Sequence, residues 1–187
     1  IGATTVGSSI AFNNSGTVEV QEGALQLAGG GVQSGTLLGS GTIEFTGGTH
    51  SLDGVSGTAD LWISSGTVQV SGTGVDISGR TMLMAGVLNV GTTLRTNGGQ
   101  MSGGYLDGAG ALITEGAFTW SGGDMRGGGS LVVRPGVTLT LDTSNYKELS
   151  RVIEVEGTLD YTGSNLRFGP TTTAGMIHIL PGATFNE

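Results

Sequence analysis

Apolar and polar residues alternate along this chain in short bursts. Val18-Glu19-Val20, Ile43-Glu44-Phe45 and Val68-Gln69-Val70 each set a polar side chain between two apolar ones. Period two is the mark of a β-strand with one face covered. Glycine, Gly-Gly or polar turns close each burst after four or five residues, shorter than the roughly ten that a helix needs. The bursts recur. "GTVEV" opens at Gly16, "GTIEF" at Gly41, "GTVQV" at Gly66, "GTTLR" at Gly91 and "GAFTW" at Gly116, a step of 25 residues. Gly23, Gly48, Gly98 and Gly123 keep the same step, with Thr73 as the exception. So do Leu37, Trp62, Val87, Leu112 and Val137, each followed in turn by Leu38, Ile63, Leu88, Ile113 and Thr138.

Self-similarity at a fixed period signals an array of stacked supersecondary units. Three short strands per repeat predict an all-β parallel β-helix, a β-solenoid, of about seven coils of about 25 residues. Its hand is expected to be right, the preference of parallel crossovers. At strand spacings of about 4.8 Å such a rod is on the order of 35 Å long. Val18, Val20, Ile43, Phe45, Val68, Val70, Phe118 and Trp120 should face inward, with the Leu37 column forming a further wall.

Two stretches interrupt the pattern. In "GTTLRT" the apolar residue, Leu94, falls one place off its column, which predicts a bulge. In "DTSNYKELSR", residues 142–151, glycine vanishes and charge appears, so a loop or a short helical insert is expected. The organisation is then one solenoid over 1–187, with 1–15 a first coil or junction and 152–187 the final coils. "ATFNE" at 183–187 resembles "IAFNN" at 10–14, which leads straight into "SGTVEV". That echo predicts a head-to-tail array in which the unit meets itself or neighbouring repeats end to end, since open β-helix ends expose unpaired strand edges.

Composition narrows what the rod can do. Its 38 glycines in 187 residues are roughly three times ordinary usage, yet an apolar fraction of 36% is too high for a disordered chain. Three prolines and no every-third-residue glycine exclude collagen. Seven basic against 15 acidic residues give a net charge of -8, which repels nucleic acid and anionic membrane surfaces. No apolar run is long enough for membrane insertion. With no cysteine there are no disulfides and no thiolate metal sites.

Glu19 and Glu44 share a column, continued by Gln69, and read either as a carboxylate pair for glycoside cleavage or a calcium clamp, or as a solvated face; no third ligand column joins them. Glu154 and Glu156, two apart on one strand, read in the same two ways. Asp53, Asp107 and Asp124 sit beside glycines, without the spacing of calcium-binding nonapeptides. His50 reads as a turn residue and His178 as a solvent-facing one, and neither has a partner at metal-ligand spacing. Register assigns Trp62 and Trp120 to the core rather than to sugar stacking, and leaves Tyr105, Tyr146 and Tyr161 for surface contacts. Thr17, Thr42, Thr67 and Thr92 make a single file, whereas an ice-binding face would use a paired one. No catalytic, cofactor-binding or metal residue is assigned, so no enzyme is expected, with calcium the sole cofactor considered.

The phrases "GAFTWSGGDMRGGGSLVVRPGVTLTL" (116–141), "ISGRTMLMAGVLNV" (77–90) and "PGATFNE" (181–187) resemble the glycine-rich repeats of large secreted bacterial surface proteins, of the autotransporter-passenger and adhesin kind. The resemblance covers most of the chain, and its motifs are structural. It implies export to the bacterial cell surface and a structural or adhesive role, with surface glycans as candidate partners. A carbohydrate-active β-helix, lyase or hydrolase, is the other class to consider. Such enzymes build their grooves from loops that break the repeat, and here residues 142–151 alone qualify, with Asp142, Lys147, Glu148 and Arg151.

Overall fold

A computed structural model describes residues 2–142, 145–163, 165–169 and 175–187 of the chain. Every regular element among them is a strand, and every strand pairing is parallel. The chain winds into a β-solenoid of about nine turns with three walls. The first wall begins at Ala3–Val6 and Ala24–Leu27 and continues through Thr81–Leu83, Gly99–Met101, Phe118–Trp120, Thr138–Leu141 and Thr158–Tyr161 to Thr184–Asn186. The second includes Gly31–Gln33, Val87–Val90, Tyr105–Asp107, Gly123–Met125, Lys147–Leu149 and Leu166–Phe168. The third runs from Thr17–Glu19 through Thr93–Thr96, Ala111–Thr114, Ser130–Val133 and Val152–Val155 to Met176–Ile179. Two long strands, Thr42–Asp53 and Asp60–Ser71, turn the corner and serve the first wall and then the second. No helix among the described residues is long and apolar enough to cross a membrane.

The coil is shorter than the 25-residue step implied. Side chains on adjacent coils that hydrogen-bond lie 18 residues apart at Gln26 and Glu44, 20 at Asp60 and Arg80, and 22 at Arg134 and Glu156. Residues one step apart therefore do not lie over one another: Thr17 stands beneath Thr36, while Thr42 stands between Ala24 and Asp60 on a different wall. The recurrent phrase advances by one whole coil and one further wall. "GTVEV" is on the third wall, "GTIEF" on the first, "GTVQV" on the second, "GTTLR" on the third again and "GAFTW" on the first. Because a strand and its corner recur three times per coil, the step kept the inward-outward phase while changing the wall.

Most of the inward set survives this correction, because phase alone decides burial in a strand. Ile43, Phe45, Val68, Val70, Phe118 and Trp120 are buried. Val18 and Val20, near one end, pack against the core and are half-buried. Trp62 is corrected: it lies between Glu44 and Met82 on the outside of the first wall, half-buried, so it is no core residue. Val87 likewise is half-buried rather than core, and the Leu37 column is not one wall. His50 is no turn residue; it faces inward at 0% exposure, its ring 4.7 Å from that of Phe45. Leu94 sits in regular register between Val75 and Leu112, fully buried, so no bulge occurs there. The irregularity lies instead at the corner from Phe45 to Thr49. In the glycine-free stretch, Lys147–Leu149 is a strand of the second wall rather than helix, and residues 143 and 144 lie outside the described ones.

One corner shows why so many glycines are needed. Gly48, Gly66, Gly86, Gly104 and Gly123 stack where the first wall turns into the second, each at a φ between 66° and 81°. A Cβ at Gly66 or Gly86 would come within 2.5 Å of the carbonyl oxygen of the glycine beneath, and one at Gly104 or Gly123 within 2.6 Å. The corner thus demands both the left-handed backbone region and an absent side chain.

Candidate functional surfaces

Outward residues of the second wall change character along the rod. Its early coils show Thr49, Thr67 and Val87 in one file and Ser51, Gln69 and Asn89 in the next. From Tyr105 on, the first file reads Tyr105, Asp124, Glu148, Arg167, in Cα register over four coils. Strand alternation then brings Asp107 and Arg126 into the neighbouring file. The Arg126 guanidinium lies 3.6 Å from the centre of the Tyr105 ring and 3.3 Å from Asp107 Oδ2. At the far end the Arg167 guanidinium lies 4.4 Å from the centre of the Tyr146 ring. Between these two arginine-on-tyrosine stacks, Asp124 and Glu148 are neighbours on successive coils, half-exposed, and in no ion pair among the described residues. A Cβ at Gly169 would collide with Glu148 Oε1, so that glycine leaves the space the carboxylate occupies.

The candidate pairs named from the sequence are separated. Glu19 stands beside Leu38, while Glu44 accepts hydrogen bonds from Gln26 Nε2 at 2.9 Å and Ser64 Oγ at 2.7 Å on another wall. Glu156 is held by Arg134 at 3.0 Å, and Glu154 faces outward beside His178. Asp53 is at the end of its strand beside Ser71, away from Asp107 and Asp124. No group of three or more histidine, aspartate and glutamate side chains among the described residues is placed to hold a metal ion. Trp120 is fully buried with its indole N–H donating to Gly123 O at 3.1 Å. Tyr161 packs against the core, whereas Tyr105 and Tyr146 are exposed. Arg126 and Arg167 were not singled out from the sequence. The signal was present in "YLD", "GDMR", "KEL" and "LRF", but only the true coil length stacks these fragments.

Residues 142–151 place their charges inward as well as outward. Lys147 is 2% exposed, and burial lowers its pKa against the pull of Asp142. Arg151 is fully buried, donating through Nη2 to Gly110 O at 2.9 Å and Ser130 O at 3.2 Å, which links it to the two coils below. Its Nε and Nη1 have no hydrogen-bond partner among the described residues. Burial lowers its pKa to about 10, with Asp107 opposing, so the group stays cationic at neutral pH.

The ends form the second surface of interest. On the last coil, Phe168 stands over Leu149, Ile179 over Val155 and Phe185 over Leu159. The three lower residues are all 0% exposed, while the upper three are 59%, 36% and 49% exposed.

Comparison with protein-family models, with curated protein sequences and with solved structures finds no match to this chain.

Proposed function

We propose that the chain is a structural and adhesive segment of an extracellular rod at the bacterial surface, joined end to end to further coils, without catalysis. The observation that carries this reading is the uncovered core on the last coil. Phe168, Ile179 and Phe185 continue inward ladders whose next members down are wholly buried. The edge strands that carry them offer backbone donors and acceptors in the same register, a template for parallel pairing. Apolar area left in water at this site favours a covering coil by about 25 cal/mol per Å². Placement outside the cell rests on the glycine-rich repeats alone.

Light scattering on the 1–187 chain over a hundredfold range of concentration tests the reading. Mass should rise with concentration, and Phe185→Asp with Ile179→Asp should hold the protein monomeric while leaving its strand signal in circular dichroism. A strict monomer throughout would remove the basis for end-to-end joining. The catalytic alternative has its own assay: new reducing ends or unsaturated sugars released from polysaccharide, with or without calcium, would replace the structural reading.

A further inference from the structure

The second wall's C-terminal half is built unlike the rest of the outer surface, and we propose that it binds a neutral polysaccharide lying along the rod axis. The ligand class follows from the groups present and their order. Two arginine-on-tyrosine stacks, Arg126 on Tyr105 and Arg167 on Tyr146, bound the patch. Each holds a guanidinium flat, so its planar fork of N–H donors is fixed in advance and little rotamer entropy is lost on binding. Between the stacks lie Asp124 and Glu148, acceptor-only groups in no ion pair among the described residues. Fixed donors at either end and acceptors between them, beside exposed tyrosine carbon, match the paired hydroxyls and apolar ring faces of a sugar.

Spacing and charge narrow the ligand further. Tyr105, Asp124, Glu148 and Arg167 occupy successive coils, so their side chains repeat at roughly 4.8 Å, close to the length of one pyranose unit. Three such intervals, roughly 14 Å, separate the ends of the file, room for about three sugars. Arg126 is already paired with Asp107, which leaves, among the described residues, one guanidinium without an ion pair, that of Arg167, against two such carboxylates. On a chain of net charge -8 that balance disfavours a polyanion such as a uronate chain or nucleic acid. The site is independent of the ends.

Affinity electrophoresis tests the proposal, in native gels containing hydroxyethyl cellulose, mixed-linkage β-glucan, galactomannan or polygalacturonate, each run with and without EDTA. Wild-type protein should be retarded by at least one neutral polymer and insensitive to EDTA. Tyr105→Ala with Tyr146→Ala, and Asp124→Asn with Glu148→Gln, should each weaken that retardation at least tenfold, with mobility in polymer-free gels as the charge correction. Glu44→Gln on the first wall and Phe185→Asp on the last coil should retain it, which separates failure here from failure of end-to-end joining. Equal circular dichroism spectra and melting temperatures would show that the variants fold. Absence of retardation in all three neutral gels, retardation only by polygalacturonate, or unchanged retardation in both double variants would overturn the proposal.

Discussion

The middle coils and the last coil are built from the same inward pattern and have opposite fates. Trp120, Leu139 and Leu141 are wholly buried, while Phe185, one strand above Leu159 in the same wall, is half in water. In a globular domain an inward residue is covered from all sides by distant parts of the chain. In a solenoid each coil is covered only by the coils above and below, so burial depends on having two neighbours. The difference teaches that core and interface are the same surface here, distinguished by position along the axis.

The comparison can be broken most sharply by truncating one aromatic in each region. Trp120→Ala should cost about 3–5 kcal/mol, measured as a shift in the urea unfolding midpoint at constant slope, whereas Phe185→Ala should cost less than about 1 kcal/mol. Equal losses would mean that the last coil is as well packed as the middle. Next comes Arg151, which spans three coils below the end. Arg151→Ala should cost about 2–3 kcal/mol, from charge-assisted hydrogen bonds to two carbonyls and the space vacated. Arg151→Met should recover part of that loss by filling the space; a methionine variant as unstable as the alanine one would show that the hydrogen bonds alone matter.

A third test compares two glycines. Gly104→Ala forces a left-handed residue against Gly86 O and should cost about 1–3 kcal/mol. Gly128→Ala, which meets nothing within 4 Å and needs no positive φ, should be neutral within about 0.5 kcal/mol. The smallest effect concerns pH. His50 is buried against Phe45, Nε2 lies 3.1 Å from Gly47 O, and desolvation lowers its pKa below the ordinary 6.5. The unfolded chain therefore takes up the proton first as the solution is acidified. This contribution is complete above pH 6.5 and is lost as pH falls from there through the folded value. His50→Leu should flatten that part of the stability profile measured from pH 7.5 to 5, and an unaltered slope would show that other groups dominate it.

Much of this architecture was legible in the sequence. Short alternating segments between glycines fix inward and outward positions, because side chains on a strand point to opposite faces regardless of what the strand pairs with. Ile43, Phe45, Val68 and Trp120 were therefore placed correctly even though their assumed neighbours were wrong. Glycine at the stacked corners was equally legible, since the left-handed turn is a local demand. Tertiary structure alone decided which residues stand over one another. An echo that recurs once per wall fits several coil lengths, and only pairing across coils selects among them. Trp62 left its expected core place for the outer face and His50 its expected turn for the core for that reason, and the file of Tyr105, Asp124, Glu148 and Arg167 emerged only at the true spacing. Local chemistry is written residue by residue, whereas the register between coils is a long-range choice made by the whole stack at once.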